Sequence, residues 1–130
     1  MHIFHKMTSA LQNRKYAEAL PMIEELTRRH PNVATNWYNY GDCLEKLERH
    51  EEAASAFLRA VDVDPSDGGA YYRACLALVA GKDTARLLSV FRRICEVDPS
   101  MMVELRQEPE FAPYFQLPEF DHLYREFAGG

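Results

Sequence analysis

The sequence predicts an all-α fold of helical hairpins stacked in an array, and three observations predict it. Pro31, Pro65 and Pro99 recur at intervals of 34 residues, a period that belongs to helical repeat proteins. Apolar or small residues recur in the same register: Ile3, Trp37 and Tyr71; Met7, Gly41 and Cys75; Ile23, Phe57 and Phe91; Leu26, Ala60 and Ile94. A chance spacing of prolines would not bring core positions along with it. Within residues 34–65, Trp37, Tyr40, Gly41 and Leu44 fall on one stripe of a helix, and Ala53, Phe57 and Ala60 form a stripe on a second. Gly41, Ala53 and Ala60 let two backbones approach while Trp37 and Phe57 fill the space between them, as an antiparallel helix pair requires.

Taken in order, the chain predicts helices over His2–Gln12 and Tyr16–Arg29. Pro21 falls inside the second, where a missing N–H and a ring clash cost about 3 kcal/mol, so a local distortion is expected there. The third helix, Ala34–Leu47, leads through a polar turn to a fourth, Glu51–Val61, which opens with carboxylates near its positive end. Helices over Gly69–Ala80 and Thr84–Glu96 follow, with Gly81 suited to stopping the first and Asp83 to capping the second.

After Ser100 the period fades, and Pro109-Glu110-Phe111-x-x-Tyr114-Phe115 is echoed by Pro118-Glu119-Phe120-x-x-Leu123-Tyr124. Proline followed by glutamate marks a helix start. A helix over Ser100–Gln107, a helical turn over Glu110–Phe115 and a last helix over Pro118–Phe127 are expected. The last unit of a stacked array leaves an apolar side to be covered, and Phe111, Tyr114, Phe115, Phe120, Leu123, Tyr124 and Phe127 are assigned to that cover rather than to a partner.

Composition narrows the function. Fifteen Lys and Arg against 20 Asp and Glu give a net charge of −5, which argues against the broad basic surface of a nucleic-acid binder. The opening MHIFHKMTSAL lacks the pattern of a signal peptide, and no window approaches about 20 continuous apolar residues, so a cytoplasmic protein with no membrane attachment is expected. Cys43, Cys75 and Cys95 show no C-x-x-C spacing and read as buried small hydrophobes. His2, His5, His30, His50 and His122 are scattered among turns and termini with no partner at ligand or triad spacing. No enzyme, metal or cofactor is expected.

The segments Trp37-x2-Tyr40-Gly41-x2-Leu44, Ala53-x3-Phe57 and Pro65 resemble the tetratricopeptide repeat, W-x2-L-G-x2-Y, then A-x3-F, then P. A first repeat keeps Tyr16, Glu18, Ala19 and Pro31 but has Met7 at the glycine place. A third keeps Tyr71, Phe91 and Pro99 but has Leu87 in place of alanine, so its helices are expected to pack slightly further apart. The resemblance implies a right-handed α-α superhelix in a single domain, with repeats at about 1–32, 34–66 and 68–100 and a cap over 101–130 like the closing segments of bacterial arrays.

In the family resembled, the first helix of each pair lines a concave groove that receives a peptide. One column there is aromatic: Phe4, Tyr38 and Tyr72. The next rows are Thr8, Asp42 and Leu76, then Leu11, Glu45 and Val79. Rings offer wide contact at low rotamer cost and suit a guest's apolar side chains. Tyr72, Leu76 and Val79 make an apolar strip that the last helix or a partner is expected to cover. Asn39 and Arg73 occupy two places of the clamp by which some family members hold chaperone carboxylates, but Phe4, Thr8 and Gly69 stand at the others. The clamp is incomplete; Asn39 reads as structural and Arg73 as a single anionic anchor.

The expected site is therefore Phe4, Tyr38, Asn39, Asp42, Glu45, Tyr72, Arg73, Leu76 and Val79, in a non-enzymatic adaptor that binds a protein or peptide segment. The alternatives are a structural module that self-assembles, for instance as a homodimer, and a chaperone for a client protein. As a packing residue, Trp37 is expected to cost about 3–5 kcal/mol when cut to alanine.

Overall fold

The structure is a computed structural model that describes the backbone of residues 2–127 and side chains from residue 6 onward. Among the described residues there are eight α-helices, one 3-10 turn and no strand. The helices are α1 (His2–Gln12), α2 (Tyr16–Arg29), α3 (Ala34–Lys46), α4 (His50–Val63), α5 (Gly68–Ala80), α6 (Thr84–Val97), α7 (Pro99–Arg106) and α8 (Pro118–Phe127). The 3-10 turn, Ala112–Gln116, lies between α7 and α8. These bounds match the spacing-based expectations to within a residue or two. The chain forms two compact units, residues 1–77 and 78–130, with the boundary inside α5.

In the first unit α1 packs on α2, α2 on α3 and α3 on α4. Met7 and Ala10 from α1, Ala19 and Ile23 from α2 and Cys43 from α3 form one buried cluster, flanked by Leu11, Leu20, Leu26 and Tyr40. Between α3 and α4 the fit is tighter. A Cβ built on Gly41 would lie 2.8 Å from the Phe57 ring, closer than van der Waals contact allows, so the ring sits in space that any other residue would fill. Phe57, Ala53, Ala60 and Leu44 are all fully buried, as the stripes on the two helices require.

Trp37 departs from expectation. It is half-buried rather than in the core, its Nε1 donates to the Pro31 carbonyl at 2.8 Å, and the Arg59 guanidinium lies 4.8 Å from its ring centroid. The tryptophan ties the loop before α3 to the hairpin through a polar bond and a cation–π contact, so the large cavity cost attaches to Phe57 and not to Trp37.

The helix stops repeat with the sequence period. Arg14, Glu48 and Lys82, 34 residues apart, have φ of 57°, 60° and 58° and are the non-glycine residues of positive φ. At each, the same bond pair closes the helix. Lys15, Arg49 and Asp83 donate to Ala10, Leu44 and Leu78 at 2.8, 2.9 and 2.9 Å, and the left-handed residues donate to Leu11, Glu45 and Val79 at 3.0, 2.9 and 3.1 Å. This is the Schellman closure. The glycine expected to serve it, Gly81, lies one residue before the left-handed position, which Lys82 holds. Asp83 caps α6 as expected, accepting from the Arg86 amide at 3.1 Å.

Helix α2 runs unbroken through Pro21. Both Pro21 and Ala17, whose carbonyl loses its amide partner, are exposed, so water can take the vacated bond and the anticipated break does not occur.

In the second unit α7 and α8 both pack on α6, and α8 packs on the 3-10 turn. Phe91, one period after Phe57, is fully buried among the rings of Phe111, Phe115 and Phe120, with centroids at 5.8, 5.4 and 5.5 Å. Phe111, Phe115, Phe120 and Leu123 are buried, while Tyr114, Tyr124 and Phe127 are half-buried at the rim. Arg106 covers the outer ring of Tyr124, its guanidinium 4.3 Å from the centroid.

Two stability predictions follow from the first unit. Gly41→Ala should lower the unfolding free energy by about 1–3 kcal/mol through overpacking against Phe57, read from a urea titration of the helical circular-dichroism signal. Glu48→Gly, at an exposed left-handed position, should raise it by about 0.5–1 kcal/mol.

Candidate interaction face

The first and third hairpin-opening helices of the first unit's latter half, α3 and α5, meet through Arg73. Its Nη2 donates to Asp42 Oδ1 at 2.6 Å and its Nη1 to the Tyr38 hydroxyl at 3.2 Å. The guanidinium lies 5.6 Å from the Tyr38 ring centroid and 5.0 Å from that of Phe57. Tyr38 in turn meets Phe57 edge-on at 5.3 Å. The planar fork thus reaches a carboxylate, a phenol and two ring faces at once, a combination an ammonium could not make.

Burial of Arg73 works against its charge, but the hydrogen bond to Asp42, reinforced by Tyr38, prevails and holds the guanidinium pKa above its ordinary value. Arg73 is therefore engaged within the chain, which replaces the expectation of an anchor waiting for an anion.

The other expected residues can be placed one by one. Tyr38, Asn39, Asp42 and Glu45 lie half-buried along α3, and Tyr72, Arg73 and Leu76 half-buried along α5. Glu45 pairs with His50 Nδ1 at the start of α4. Val79 is half-buried in the second unit. Phe4 lies outside the residues whose side chains are described.

Two features escaped sequence reasoning. Phe57, assigned to the core alone, also forms the floor beneath Tyr38 and Arg73. Asp64 and Asp67, read as solvated helix-end charge or passed over, border a shallow depression with Ala34, Thr35, Tyr38 and Gly69. Both aspartates brace the turn: Asp64 Oδ1 accepts from the Ser66 amide and hydroxyl at 3.2 and 2.6 Å, and Asp67 Oδ1 accepts from the Ala70 amide at 3.1 Å. The signal was present in the spacing Asp64-Pro65-Ser66, repeated as Asp98-Pro99-Ser100.

The thiols are set away from this face. Burial raises Cys43 and Cys95 to about 11 and pushes Cys75 higher still, and Cys43 Sγ donates to the Tyr16 carbonyl at 3.1 Å. At neutral pH these are inert protonated thiols. Among the described residues no group of His, Cys, Asp and Glu is arranged to hold a metal ion, and no helix is long and apolar enough to cross a membrane.

A family profile described as tetratricopeptide repeat matches residues 6–70, half of the chain. The chain belongs to the tetratricopeptide repeat family. Solved tetratricopeptide structures share its fold. The TPR2B domain of yeast Sti1, in its complex with pHsp70, is 22% identical over 96% of this chain and 92% of that one, with a TM-score of 0.61. The MamA RS-1 ArsTM double mutant is 18% identical over 95% of this chain and 74% of that one, also at 0.61. No curated relative matches the sequence. Tetratricopeptide repeats are, as a family, protein-interaction modules.

Because the Arg73 contacts depend on the guanidinium's shape, Arg73→Lys should destabilise the protein by about 1–2 kcal/mol although the charge is kept. Equal urea midpoints for the two proteins would show that Asp42 and Tyr38 draw nothing from the fork.

Proposed function

We propose that this chain is a non-enzymatic adaptor, three repeats and a helical cap acting as one domain, that holds a protein or peptide segment against the face formed by α3 and α5. Tyr38 and Tyr72 supply aromatic contact, Leu76 apolar contact, and Asn39, Asp42, Glu45 and Arg73 the polar frame. A reducing, cytoplasmic setting suits its three free, buried thiols.

The observation that carries this reading is the fixing of Tyr38 in advance of any guest. Its ring rests edge-on against the buried Phe57 and its hydroxyl accepts from Arg73, so little rotamer freedom remains to be lost on binding. Asp42 and Glu45 are likewise partnered within the chain, so the face is ordered and its polar groups are satisfied before a segment arrives.

Panning a random-peptide phage library on the immobilised protein tests the reading. Enriched peptides should lose at least about tenfold in retention on Tyr72→Ala, as truncation of an aromatic contact residue does, while the variant keeps its helical signal. Peptides retained equally by both proteins would remove this face from the account.

A further inference from the structure

The chemistry of the segment can be taken one step further, resting on the reading of the α3 and α5 face as the docking surface. A tetratricopeptide face that grips a carboxylate needs cations free to do so. Here the guanidinium of Arg73 is spent on Asp42 at 2.6 Å and wedged between the rings of Tyr38 and Phe57. A guest carboxylate would have to displace Asp42, and the half-buried aspartate left behind would forfeit what the guest gained.

The charge that remains at this end of the face is negative. The depression beside Tyr38 is bordered by Asp64 and Asp67, and each carboxylate is held in place through its Oδ1 by backbone amides of the turn. A carboxylate has two acceptor oxygens, so bracing one leaves the charge and the second oxygen for a donor. An aromatic wall beside two fixed carboxylates suits an ammonium or guanidinium, by charge and by attraction to the ring. The net charge of −5 adds long-range attraction of the same sign.

We infer that the docked segment is basic: a stretch of a protein partner that places lysine or arginine in the depression beside Tyr38 and lays an apolar side chain along Tyr72 and Leu76. Free carboxylate tails are excluded. The polarity follows from the helices, with the cation toward the start of α3 and the apolar side chain along α5.

The test uses the library-selected peptides, synthesised with a fluorescein label and titrated by polarisation. Asp64→Asn with Asp67→Asn keeps both turn acceptors, because asparagine caps as well as aspartate, and removes both charges. Enriched sequences should carry net positive charge and bind the double variant about three- to tenfold more weakly, and raised salt should weaken wild-type binding by a similar factor. The salt arm needs no variant and stands even if the double variant is unstable. Neutral or acidic peptides that require Tyr72 yet ignore both aspartates and salt would overturn the inference while leaving the docking face intact. Enrichment that ignores Tyr72 altogether would overturn both.

Discussion

The ring of Phe57 lies where the Cβ of residue 41 would be, and much of the first unit depends on that occupancy. Only glycine at position 41 admits it, so the closeness of α3 to α4 is fixed by the absence of a side chain on one helix and the presence of a large one on the other. The same ring has a second edge. Tyr38 stands against it and Arg73 lies over it, so the packing that closes the hairpin also sets the height and tilt of the side chains on the candidate face. Core and surface share one residue there.

The second unit solves the equivalent problem with other material. Phe91 occupies the register of Phe57, but three phenylalanines from the 3-10 segment and α8 surround it. Edge-to-face and stacked rings fill the volume around it without backbones coming close, so no glycine is needed. Arg59 over Trp37 and Arg106 over Tyr124 give both units the same finish: an aromatic at the rim, half wet, covered by a guanidinium.

Helix number, type and bounds were legible because they rest on periodicity, which the sequence carries directly. The 34-residue register also put Tyr38 beside Tyr72 in one column and Gly41 opposite a large residue. What periodicity does not carry is the choice made by a polar side chain between solvent and a neighbouring helix. Arg73 reads from its position as a free cation; its pairing with Asp42, 31 residues away, follows from the distance between two helices in space. Trp37 fell on the apolar stripe by spacing, yet an indole N–H needs an acceptor, and Pro31 supplies one only at the edge of the core. Lys82 was overlooked because a glycine next to it offered the simpler reading, although backbone geometry and not residue type decides which position turns left.

The junctions after α2, α4 and α6 have one backbone shape, with His30, Asp64 and Asp98 at φ and ψ of −132° and 68°, −132° and 89°, and −154° and 89°. After Asp64 the chain goes on to α5, the opening helix of another hairpin, and after Asp98 it goes straight into α7, which belongs to the cap. A joint that serves both continuations carries no instruction to stop. Termination is written downstream, in the rings that claim Phe91, so the length of such an array is a property of its last few dozen residues and the hairpins before them are interchangeable parts.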